Sequence, residues 1–106
     1  MNRIGLLGLL GLVLAGYPAA AQAADKGQIV YAAGNCFIIQ TEKGATLFER
    51  SGGRSPKVND TVAGVLHDFG YQQLHDASGK ELMVGFVQEH GVKKDQNIES
   101  FKKSCR

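Results

Sequence analysis

The chain contains no tryptophan, two prolines, two methionines and two cysteines in 106 residues. A chain of that length holds one domain, which excludes a TIM barrel, a full Rossmann unit and two-domain enzymes. The formal net charge is +2, too little to argue for a nucleic-acid partner. No CxxC pair, G-x-S-x-G elbow, P-loop or dinucleotide fingerprint occurs. No cofactor is expected from these residues.

Only one long apolar run exists. Ile4–Gly16 is 13 residues without a charge, preceded by Arg3 and followed by Tyr17-Pro18 and a stretch of small residues. At a rise of about 1.5 Å per residue it reaches roughly 20 Å, against a bilayer core of about 30 Å. The order of parts is that of a secretory signal peptide, with Ala21-Gln22-Ala23 fitting an A-x-A cleavage rule. Residues 1–23 are therefore expected to be removed, leaving no membrane span and a periplasmic or secreted domain. Ala19-Ala20-Ala21 offers a second cleavage point.

A secreted domain this small has a marginal core and is commonly stapled. Cys36 and Cys105 are the only available pair, so a disulfide is expected between them. Their separation gives no metal-ligand spacing, and free or reactive thiols are the alternative.

The rest reads as short strands with turn signals about every ten residues, the rhythm of a small sandwich or barrel. Strands are expected over Lys26–Ala33, Cys36–Thr41, Ala45–Arg50, Val58–His67, Tyr71–His75 and Lys80–Glu89. Cys36–Thr41 is apolar on both faces, which suggests a central or closed-barrel position. Ser51–Pro56 is expected to be the longest flexible loop. Val92–Arg106 lacks strand alternation, and Ile98, Phe101 and Cys105 make one helical stripe, so a short amphipathic helix should dock near Cys36. The expected organisation is a barrel over 24–90 and a basic helix over 91–106, disulfide-linked to it. The fold class is mainly β: a five- or six-stranded antiparallel barrel with a C-terminal helix.

The segment GQIVYAAGNCFIIQTEKGATLFER, followed by VNDTVAGVL, resembles the OB-fold pattern of an early glycine, a glycine-closed hairpin and a later D-x-V-x-G strand. The periplasmic bacterial OB-fold family has this rhythm. The resemblance spans roughly residues 27 to 66 and implies an OB-like barrel. The short Gly/Ser connection, where many OB folds carry a helix, leaves an SH3-like barrel as the alternative topology. Neither fold carries a function with it.

Three histidines are the candidate metal or general-base set. His67 and His75 fall on adjacent expected strands, where they could face each other across a hairpin, with Asp68 and Asp76 beside them. The plainer reading is solvated strand-end residues, His90 included. Gly52-Gly53-Arg54 could meet an anion through free backbone N–H groups, or be a mobile loop. Most aromatics should fill the small interior, and Tyr71 is the best surface candidate for stacking on a ligand. Residues 91–106 carry 5 basic and 2 acidic side chains, which would suit an anionic surface or simply a solvated helix face.

The functional expectation is an exported, non-catalytic barrel that contacts a protein or an envelope glycan, with Tyr71, Gly52, Gly53 and Arg54 as contact residues and no nucleic acid. One alternative is a small metal-binding protein or enzyme using His67 and His75. Another is an inhibitor of a secreted hydrolase, inserting the Ser51–Ser55 loop.

Overall fold

A computed structural model of the chain describes residues 25–105. The expected signal peptide, Met1 to Ala23, lies outside the described residues. Six strands follow one another: β1 (Asp25–Ala33), β2 (Cys36–Thr41), β3 (Gly44–Gly53), β4 (Thr61–Gly64), β5 (Gly70–Asp76) and β6 (Glu81–Val92). One helix, α1 (Asp95–Ser104), completes the chain. Among the described residues no helix is long and apolar enough to cross a membrane.

The strands close a barrel in the order β1-β2-β3-β6-β5-β4, every neighbouring pair antiparallel. Two three-strand meanders are thus joined along two seams, β1–β4 and β3–β6. The expected mainly β barrel with a short C-terminal helix is what forms. It has six strands, against the five of an OB barrel.

Closure removes the sheet edges that an open small sheet would expose. The interior holds Ile29, Phe37, Ile39, Phe48, Val62, Leu66, Leu74, Leu82, Met83 and Val87. Phe37 and Ile39 alternate with outward residues along β2, as a period of two requires, whereas Leu82 and Met83 are consecutive where the β5–β6 register shifts and Leu66 lies beyond the end of β4.

A second cluster lies outside the barrel. Cys36, Ile38, Ala45, Leu47 and Val92 form an outer patch on β2, β3 and the end of β6, and Phe101 of α1 covers it. Ile98 and Cys105 pack against the same cluster half-buried. The helix stripe expected from the sequence is therefore the docked face. Both faces of β2 are apolar because the inner one fills the barrel and the outer one carries the helix. The Cys36–Cys105 disulfide, with Cα atoms 5.9 Å apart, ties the end of the helix to β2. Lys102 lies over the Tyr31 ring at 4.8 Å and adds a cation–π contact beside it.

Three expected boundaries are corrected. The fourth strand was expected over Val58–His67 but pairs only over Thr61–Gly64. Gly64 has φ +152, and beyond it the chain leaves the sheet. Leu66 is fully buried there, its carbonyl accepting from the Thr46 hydroxyl at 2.9 Å and its N–H donating to Asp25 at 3.3 Å. The last strand runs to Val92 rather than Glu89, so the helix begins later than residue 91. Finally, Ser51-Gly52-Gly53 is strand and not loop: Gly52 pairs with Val84 and Gly53 with Met83.

Phe101 is 5% exposed. Phe101→Asp should lower stability by about 2–4 kcal/mol, because it both empties the docking contact and buries a charge. Gln96→Asp, on the exposed side of α1, should stay within about 0.5 kcal/mol of the parent. Urea melts of the two variants check this; equal midpoints would mean that the helix face is not docked.

Candidate functional site

The β5–β6 side of the barrel concentrates the exposed rings. Tyr71 and Phe86 are cross-strand partners in β5 and β6. Met83 and Val87 point inward from β6, so Phe86 between them points out. The two rings meet edge to face, with centroids 5.3 Å apart. Tyr71 is 58% exposed and Phe86 46%. Phe69, in the turn before β5, is 66% exposed and packs on His90 at 4.7 Å. Gln73 and Gln88 are exposed on the same two strands, and Gln88 donates from its amide to the Glu49 carboxylate of β3. The result is a strip of large apolar rings bordered by amides and a carboxylate.

Tyr71 therefore stands on the surface, as expected from the sequence. Phe86 does not fill the interior as expected for most aromatics. Its place outside follows from the register of β6, which alternation alone leaves undecided because Leu82, Val84 and Phe86 are as apolar as Met83 and Val87.

In the Gly52-Gly53-Arg54 segment, expected either as a mobile loop or as backbone that could meet an anion, Gly52 and Gly53 are paired strand and not a loop. Gly53 has φ +88, and a Cβ there would lie 2.6 Å from the Leu82 carbonyl oxygen, so the strand bends where only glycine fits. The Arg54 N–H donates to that same carbonyl at 2.6 Å. The guanidinium donates to the Asp76 carboxylate at 3.1 Å and to the Glu81 carbonyl at 2.6 Å. Arg54 is thus a staple between β3 and the β5–β6 turn, with its charge already paired. Of the Ser51–Ser55 segment expected as an inserting loop, Ser51–Gly53 lies in the barrel wall, while Arg54 and Ser55 follow it exposed.

Asp76 organises that turn. Its Oδ1 accepts from the Ser78 hydroxyl at 2.6 Å, the Ser78 N–H at 2.9 Å and the Lys80 N–H at 3.0 Å. The Ser78 hydroxyl, then the Arg54 guanidinium, hold the carboxyl well below the usual carboxylate range, against a smaller opposing effect of burial. Next to it is a cleft of about 360 Å³ lined by Arg54, Asp60, Thr61, Asp76, Ala77, Ser78 and Leu82. Both Asp76 oxygens are engaged by protein donors, so the cleft offers no free acidic ligand at that residue.

The histidines are arranged otherwise than expected. His75 stands near Ala63 on β4, four residues before His67, so the two do not face each other across the hairpin. The ring neighbour of His67 is His90, with centroids 6.0 Å apart. Among the described residues no group of three or more His, Cys, Asp or Glu side chains converges to hold a metal ion. The approach of His67 to His90 depends on where the chain goes after Gly64, and the sequence carries no spacing signal for it.

No protein-family model, curated protein or solved structure matches this chain. Its function is argued from the residues alone.

The lowered carboxyl of Asp76 gives a signed prediction. A carboxylate depressed in the folded state adds stability above its unfolded value, about 3.9, and loses it as pH falls below that toward the folded value. Asp76→Asn should therefore be less stable than the parent at neutral pH, with the gap narrowing progressively below about pH 4. Thermal melts of both proteins between pH 2 and 7 test the sign; a constant gap would assign Asp76 no linkage role.

Proposed function

We propose that this chain is an exported, non-catalytic binding module of the cell envelope, and that the outer face of β5 and β6 is its contact surface for an envelope glycan. The observation that carries this reading is the exposure of Phe69, Tyr71 and Phe86 along one side of a small closed barrel. Two large rings paired in solvent on the barrel wall, with a third in the adjoining turn, are the kind of exposed apolar grouping that marks a contact surface. Sugar rings have apolar C–H faces that stack on aromatics and hydroxyls that hydrogen-bond to amides. Gln73, Gln88 and Glu49 border the rings and supply such partners. Barrels of this general kind present strand faces to oligosaccharides. The leader-like Met1–Ala23 segment supports an envelope location.

Tyr71 and Phe86 lie on paired strands, so binding at these two rings should need little rearrangement of the backbone. It makes no demand on the histidines or on the Arg54 staple.

Sedimentation with purified envelope glycan tests the reading. Tyr71→Ala and Phe86→Ala should each weaken binding by about 1–3 kcal/mol, the worth of one stacked ring, while melting as cooperatively as the parent. Wild-type protein that stays in the supernatant would refute the glycan. A partner protein crosslinked through the Tyr71 position, in that event, would place the strip at a protein interface instead.

A further inference from the structure

We propose that His67 and His90 form a binding site for a single divalent transition-metal ion of the imidazole-preferring kind, with copper(II) as its tightest occupant. His67 follows Leu66, whose burial and two hydrogen bonds hold the chain against the end of the barrel. His90 is set by the pairing of β6, two residues before the Val92 that packs under α1. The two rings come from segments 23 positions apart in the chain, yet their centroids are 6.0 Å apart with planes at 74°.

That separation matches two imidazoles on one ion. A metal–nitrogen bond is about 2.0–2.1 Å, and adding the distance from nitrogen to ring centre puts each centroid roughly 3.2 Å from the ion. Two such rings at ligand angles between tetrahedral and linear have centroids roughly 5 to 6.5 Å apart. Ring planes at a steep angle can share an ion on their line of intersection. Phe69 packs on His90 at 4.7 Å, which restricts that ring before any ion arrives. Among the described residues no hydrogen bond or ion pair engages a nitrogen of either ring, so both remain open as donors to a metal.

Among the described residues no third protein ligand converges, so the other coordination positions belong to water. Two neutral nitrogens with water suit copper(II) best. The affinity order for such donors rises through nickel to copper and falls again at zinc. His67 also lines a cleft of about 290 Å³ in which Asp25 and Glu42 are balanced by Lys26 and Lys43, so the donor nitrogens and not the surrounding charge must hold the ion. The metal ligands are separate from Tyr71 and Phe86, and Phe69, which backs His90, is the one residue common to this site and the aromatic strip.

Equilibrium dialysis of the tag-free exported protein against copper(II), nickel(II) and zinc(II) tests the site. One copper ion per chain is expected, held more tightly than nickel or zinc. His67→Ala and His90→Ala should each weaken it by about tenfold or more. His75→Ala, whose ring stands elsewhere on β5, should leave it unchanged. Copper retained at full affinity by the double variant His67→Ala/His90→Ala, as the chain's amino terminus alone would produce, overturns the proposal. So does equal weakening by His75→Ala.

Discussion

The structure depends on one covered surface. The outer face of β2 and β3 presents Ile38, Ala45 and Leu47 where a solvated barrel wall would be polar. Without α1 those side chains would lie in water. A ten-residue helix is too short to be stable alone. Each therefore needs the other, and Phe101 with the Cys36–Cys105 bond is where they meet. The disulfide spans 69 positions. In the chain-entropy account, closing a loop of about 70 residues in the unfolded chain is worth roughly 4 kcal/mol. That is a large share of the stability expected of so small a domain.

Inside, the barrel is closed by chain as well as by side chains. The hydroxyl of Thr46, fully buried, donates to the Leu66 carbonyl, and Leu66 in turn fills the interior. This bond lets the segment after Gly64 leave the sheet without stranding a polar group in the core. The same segment delivers His67 and Phe69 to the His90 ring of β6. Core packing and candidate sites are thus joined through one short connection.

Much of this architecture was legible in the sequence. Strand rhythm, the apolar β2, the Ile98–Phe101–Cys105 stripe and the lone cysteine pair each follow from local pattern, and they agree on a barrel with a tethered helix. What was not legible depends on register and on long-range pairing. Ser51-Gly52-Gly53 has the composition of a loop, yet β6 supplies partners and Gly53 supplies the bend. Phe86 and Met83 are equally apolar, and only the closed barrel decides which of them faces water. His67 and His75 are near in sequence but stand at different levels of the hairpin, while His90 arrives from another strand. Arg54 looks like a free cation until Asp76 and the Glu81 carbonyl are placed beside it.

The central claim is that α1 and the outer face of β2–β3 stabilise each other through the disulfide. Hydrogen exchange on the oxidised and the reduced protein, resolved by residue, tests it most directly. The account predicts that oxidised protein protects α1 together with Ile38 and Leu47. Reduction should then speed exchange in α1 and in β2–β3 alike. Rapid exchange of α1 in the oxidised protein, with β2–β3 protection unchanged on reduction, would contradict it.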